Sequence, residues 1–190
     1  MVSSDPHGNS EVKAFIYSWI EQTGKDSKHH QQNVLSKVIA HYDFPKTTPG
    51  MQVKRLTFNP KDNNQVVTSG NMHWKMWRVQ EGTFKPVPAF QKVSQNHNYT
   101  DHVWLDDDKM AATTAEGEVF IESPETKQYI ENAFNSQGDE ENEITNITVI
   151  KEFSKGFFVA SDSGHMAMWV RSDENNSTSG KQAYDFIRRW

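Results

Sequence analysis

Three glycines set the frame for this chain. Gly70 in "VVTSGN", Gly117 in "AATTAEGEV" and Gly164 in "VASDSGHM" each separate two short apolar runs, and each lies 47 residues from the next. Equal spacing twice over is harder to reach by accident than any single motif. The surrounding words recur as well: "VVTSGNMHWKMWRV" at 66–79 returns as "FFVASDSGHMAMWV" at 157–170, with Trp77 and Trp169 near the ends. A unit of about 40–50 residues built of short strands cannot bury its own apolar faces, so copies must stack. That is the pattern of a β-propeller array, in which each unit is a four-stranded blade.

The runs inside each unit agree. In "QVKRLTFNP" alternation puts Val53, Arg55 and Thr57 on one side and Lys54, Leu56 and Phe58 on the other. With "QVVTSG", "HWKMWRV" and "TFKPVPAF" it makes one blade, over 51–90, each run ended by Gly, Pro or a polar turn. A second blade over 98–134 reads "YTDHVWL", "KMAATTAEG", "EVFIES" and "KQYIENAF", and a third over 144–190 reads "ITNITVIKEF", "GFFVASDSG", "HMAMWVR" and "AYDFIRRW". Ahead of them "MVSSD", "VKAFIYSWI" and "VLSKVIAHYDF" form an incomplete blade within 1–44. The expectation is therefore an all-β propeller of about three and a half to four blades. Propellers have roughly 4–8 blades, so this is a partial ring whose exposed strand edges need cover. Polar stretches at 21–33, 135–143 and 171–182 read as surface loops.

Composition narrows the function. Hydrophobic residues are only 35%, and mean hydropathy is −0.81, yet six Trp and eleven Phe supply the large side chains that disordered segments lack. The net charge is −5 with no basic cluster, so no phosphate-backbone footprint is present and nucleic acid is not an expected partner. There are no cysteines, hence no disulfide or thiolate metal site. No apolar run approaches the roughly 20 residues that cross a bilayer, and "MVSSDPHGNSEV" lacks the basic and apolar regions of a signal peptide. The reading is a soluble intracellular protein with no membrane partner. On that reading the glycosylation triplets at Asn98, Asn146, Asn175 and Asn176 carry little weight.

Chemistry-bearing motifs are weaker than their ordinary explanations. His29–His30 has no third ligand nearby. Asp162–His165, "DSGH", is turn chemistry at a strand corner, and no Gly-X-Ser-X-Gly elbow, phosphate loop or dinucleotide fingerprint is present. Asp106–Asp108 sits where a hairpin must turn, and "DEENE" at 139–143 is a solvated charge run. Trp77, Trp104 and Trp169 fall at recurring strand positions and are assigned to packing between blades, whereas Trp74, out of phase with Trp77, is the one expected at the surface. No catalytic, cofactor-binding or metal residue is assigned, and binding residues stay unknown.

Taken together, "VKRLTFNPKDNNQVVTSGNMHWKMWRVQEGTFK", "NYTDHVWLDDDKMAATTAEGEVFIES" and "FSKGFFVASDSGHMAMW" resemble the WD-repeat cilia- and flagella-associated proteins of motile axonemes, over about residues 51–170. The resemblance implies a non-enzymatic scaffold on doublet microtubules. Such a scaffold helps place or regulate inner dynein arms and so shapes ciliary motility. Its implied partners are inner dynein arm and regulatory-complex components and other WD-repeat proteins, in the axonemal cytoskeleton. The chain departs from that family in having no heptad stretch. It also lacks regular Gly-His and Trp-Asp signatures, which leaves the polar tetrad of a typical blade incomplete and puts the burden on apolar packing. A general WD-repeat interaction adaptor outside cilia is the alternative.

Overall fold

The structure is a computed structural model that describes residues 13–22, 33–44, 50–87, 97–105, 109–123, 127–134, 146–172 and 184–190. Among these every regular element is a strand. Of the runs read from the sequence, "MVSSD" lies outside the described residues, and each of the other fourteen is a strand.

The first two strands, β1 (Lys13–Gln22) and β2 (Asn33–Asp43), pair antiparallel. Strands β3 (Arg55–Phe58), β4 (Gln65–Gly70), β5 (His73–Gln80) and β6 (Thr83–Pro86) follow as a meander, the first sheet. The second sheet is β7 (Tyr99–Trp104), β8 (Met110–Thr114), β9 (Val119–Glu122) and β10 (Lys127–Ile130). The third is β11 (Ile147–Phe153), β12 (Gly156–Ser161), β13 (Met166–Arg171) and β14 (Tyr184–Arg189). The second and third sheets and the β3–β6 part of the first are each a four-stranded antiparallel meander in chain order, the blade of a propeller, and β1 and β2 extend the first sheet to six strands in the order β1-β2-β6-β5-β4-β3. The chain is thus all-β and folds as part of a propeller.

The β1–β2 hairpin is joined to the first sheet's outer strand β6 by one parallel pairing, His41 with Thr83, and its amide reaches Gly82 O at 3.2 Å. Its inner side chains, Ala14, Ile16, Ala40 and Phe44, nonetheless pack face-on against Val66, Trp77 and Phe84. The hairpin therefore covers the first sheet much as a neighbouring blade does. On its other face the first sheet meets the second through Val67, Trp74, Met76, Tyr99, Trp104, Met110 and Ala112. The second meets the third through a larger cluster that includes Val103, Ile121, Ile150, Phe157 and Trp169. Period-2 alternation explains how one strand serves two seams: on β5, Trp77 faces the hairpin while Trp74 and Met76 face the second sheet.

That arrangement corrects the expectation for Trp74. It is 2% exposed, with its ring 5.3 Å from that of Tyr99. Being out of phase with Trp77 does place it on the opposite face, but the second sheet covers that face.

The glycine frame also divides. Gly117 and Gly164 occupy equivalent turns with φ of 87° and 88°. The hydrogen bonds repeat at the same offset: Gly117 N–H donates to Thr114 O at 3.4 Å and Gly164 N–H to Ser161 O at 3.3 Å, while the side-chain oxygens of Thr114 and Ser161 accept from Glu118 and His165 N–H at 3.2 and 3.0 Å. Gly70 does different work. It ends β4 before a two-residue turn, Asn71–Met72, and the left-handed residue there is Met72 (φ 52°). What Gly70 supplies is room, since a Cβ would lie 2.0 Å from Gln52 O.

On β3 the expected alternation holds within the strand: Arg55 and Thr57 meet β7, and Leu56 packs on the hairpin side. Val53 joins Leu56's cluster because the strand begins only at Arg55.

Candidate interaction scaffold

The innermost strands β3, β7 and β11 lie side by side, and a buried polar chain crosses them. Arg55 pairs with Asp101, whose side chain is 4% exposed. The same carboxylate accepts from His102 N–H at 2.8 Å and from Ile150 N–H at 3.1 Å, so one side chain ties together all three sheets. Next to it His102 is fully buried, with Nε2 2.7 Å from Thr57 Oγ1 and Nδ1 2.6 Å from Ser69 Oγ. Trp104 Nε1–H donates to Thr57 Oγ1 at 3.1 Å. Burial, and secondarily the Arg55 charge, lowers the His102 pKa to about 3, so the imidazole is neutral and donates at one nitrogen while accepting at the other. Both hydroxyls are satisfied by it at once.

Within the first sheet a second chain runs from Trp77 Nε1–H to Thr68 Oγ1 at 2.7 Å and on to His73 Nε2 at 2.7 Å. Burial, with the Lys75 charge second, lowers the His73 pKa to about 4, so a neutral imidazole meets the Thr68 hydroxyl. This three-membered brace belongs to the first sheet. In the third, the equivalent indole of Trp169 donates instead to the backbone, Ala133 O at 2.9 Å. Blade rigidity therefore rests on a buried polar brace in one sheet and on packing plus a backbone anchor in the other. The sequence reading, which put the burden on apolar packing, missed the brace.

A third polar group lies nearer the surface. His97 Nδ1 is 2.9 Å from Glu118 Oε2, and ligand atoms of His97, Glu116 and Glu118 lie within 4.8 Å of one another. Glu118 also accepts from Tyr129 OH at 2.7 Å and Thr114 Oγ1 at 3.0 Å. Partial burial, then the Glu118 carboxylate, push the Tyr129 pKa up to about 12, so the phenol keeps its proton and remains a donor. With His97, Tyr129 and Thr114 all within hydrogen-bond distance of it, the Glu118 carboxylate has three protein partners.

Of the motifs weighed in the sequence, His29–His30, Asp106–Asp108 and residues 139–143 lie outside the described residues. Around the three Asp, Leu105 N–H donates to Lys109 O at 2.8 Å, closing the hairpin on either side of them. "DSGH" is a turn: Ser161 Oγ lies 2.9 Å from Ser163 Oγ, and Ser163 Oγ 3.2 Å from His165 Nδ1. Trp77, Trp104 and Trp169 are buried between sheets. Among the described residues, His73, Asp101 and His102 are buried titratable groups engaged in hydrogen bonds within or between sheets.

No family model matches the chain. A 69-residue stretch, 36% of the chain, is 30% identical to mouse (Mus musculus) cilia- and flagella-associated protein 57, and the chain's match spans 5% of that protein's length. Among solved structures, the Cps50 (Swd1) β-propeller domain of Myceliophteria thermophila matches with a TM-score of 0.56 at 12% identity, over 83% of this chain and 52% of that one. At this identity the likeness shows the fold alone, part of a β-propeller.

Proposed function

We propose that this chain is a non-enzymatic scaffold of the motile-cilium axoneme, where it helps to place or regulate inner dynein arms on doublet microtubules. The observation that carries the reading is the 30% identity to a cilia- and flagella-associated protein within a chain that folds as propeller blades. The chemistry supports a frame: Asp101, His102 and His73 are spent on hydrogen bonds between and within sheets, and buried groups so engaged hold a shape. Partners would be axonemal proteins, met on loops and sheet faces.

Fractionation of motile cilia carrying a labelled copy tests this. Retention in detergent-extracted axonemes, with release by high salt alongside inner-arm dyneins, is the expected result. Recovery wholly in the detergent-soluble fraction, with affinity purification returning a complex free of dynein and tubulin-associated proteins, would instead establish an adaptor outside cilia.

A further inference from the structure

His97, Glu116 and Glu118 come together where the segment entering β7 meets the β8–β9 turn, their ligand atoms within 4.8 Å of one another. Neighbouring elements hold two of the three in place. The His97 carbonyl accepts from Met72 N–H at 2.9 Å, and its ring packs 4.8 Å from that of Phe120 and 5.9 Å from that of Tyr99. Tyr129 OH and Thr114 Oγ1 donate to the two oxygens of Glu118. Glu116 is exposed, so its carboxylate can swing toward the other two without disturbing the packing.

We propose that these three side chains bind one divalent transition-metal ion, zinc by preference, with water completing its coordination. Two atoms that each bind zinc at about 2.0–2.2 Å stand roughly 3 Å apart when they subtend a right angle, and somewhat farther at the tetrahedral one. His97 Nδ1 already lies 2.9 Å from Glu118 Oε2. Charge points the same way: one imidazole carries at most a single positive charge against two carboxylates held within 4.8 Å, whereas a divalent ion offsets both. Ligand type selects the metal, since an imidazole nitrogen beside two carboxylates suits zinc, while calcium takes about six to eight oxygens. The turn itself does not call for acids. At the matching offsets around Gly164 the third sheet has Ser163 and His165, their Oγ and Nδ1 3.2 Å apart, and its turn closes with the same backbone and hydroxyl hydrogen bonds. The acid pair is thus an addition to a turn that forms without it. Nothing in this site depends on the axonemal reading.

Calorimetric titration of zinc chloride into the chelator-stripped 190-residue chain tests this. A saturable site should appear. Tyr129→Phe, which takes away one hydrogen bond to a ligand, should weaken it about tenfold, the low end for losing a group that orients a ligand. His97→Gln and Glu116→Gln should each cost more than that. Circular dichroism of Glu116→Gln and Tyr129→Phe should be unchanged, because both positions are exposed. Replacing His29 and His30 together by Gln should leave the site intact, which separates it from zinc held by that neighbouring pair of imidazoles. Absence of zinc binding, binding that survives Glu116→Gln or His97→Gln at full strength, binding lost with His29 and His30, or calcium taken in preference to zinc would each overturn the proposal.

Discussion

Between the second and third sheets the contact is almost wholly apolar, whereas between the first and second a chain of polar side chains runs beside the packing. The apolar seam is built from Val103, Leu105, Ala111, Val119, Ile121 and Ile130 on one side and Ile147, Ile150, Phe157, Val159, Ala167, Trp169 and Tyr184 on the other. Apolar burial is strong but non-directional, and it tolerates sliding. The other seam has fewer buried apolar residues, yet Thr57, Ser69, His102 and Trp104 can meet at 2.6–3.1 Å in one alignment only. One seam therefore supplies most of the cohesion, and the other fixes the register of the inner strands. Asp101 belongs to both, because it bonds Arg55 on β3 and Ile150 on β11.

The largest expected effect comes from cutting the apolar seam. Trp169→Ala removes a ring stacked 6.3 Å from Phe157 and meeting Phe186 edge-on at 5.5 Å, together with the bond to Ala133 O. It should cost about 3–5 kcal/mol, the range for deleting a large buried aromatic. Chemical denaturation measures it, and a cost below about 1 kcal/mol would mean that this seam is not where the cohesion lies. Asp101→Asn should come next, at about 1.5–3 kcal/mol, the range for hydrogen bonds to a charged group. It removes the charge facing Arg55 and leaves a single oxygen for the two backbone N–H groups the carboxylate now serves. Amide exchange at Ile150 and His102 should rise with it, and unchanged exchange would show that Asp101 does not join the seams.

The strands were legible because alternation and turn residues are local signals, and the turns at Gly117 and Gly164 announce themselves by residue type. What the sequence did not reveal depends on partners far along the chain. Thr57 and His102 are 45 residues apart, and nothing near either one names the other. A trace existed: "TDHVW" puts an acid and a histidine inside a run that must be buried, and buried polar groups require partners. Trp74 was read as facing water because its strand could be phased but the sheet that covers it could not. Gly70 looked like its two successors by position, yet its role is set by the backbone of Gln52 crossing beside it. No period in the sequence encodes that crossing.

The polar seam should also make stability depend on pH. His102 in that seam and His73 in the first sheet's brace have folded-state pKa values lowered to about 3 and about 4 from the ordinary 6.5. The unfolded chain therefore takes up protons below about pH 6.5 that the folded chain refuses. Stability is full above that pH and falls as the pH drops toward 4, by about 1.4 kcal/mol per pH unit for each histidine. His102→Gln, which keeps a donor and an acceptor, should remove about one proton's worth of that slope while Trp169→Ala leaves the slope intact. Equal slopes in wild type and His102→Gln, measured as denaturation free energy at pH 4.5, 5.5 and 6.5, would show that His102 does not stay neutral in the fold.

The smallest effect belongs to the rim of the apolar seam. Gln128 on β10 lies across from β14, where its Nε2–H donates to Tyr184 O at 3.1 Å and its Oε1 accepts from Tyr184 N–H at 3.0 Å. A side-chain amide here imitates a backbone pairing and ties two outer strands together, so the apolar seam too has a directional element, at its edge instead of its centre. Gln128→Ala should cost about 1 kcal/mol, because the pair is part-buried and water can replace the lost partners. Amide exchange at Tyr184 should quicken without spreading to Ile150. If loss of Gln128 instead loosened Ile150 as strongly as Asp101→Asn does, the outer strands would be setting register as well, and the division of labour between the two seams would fail.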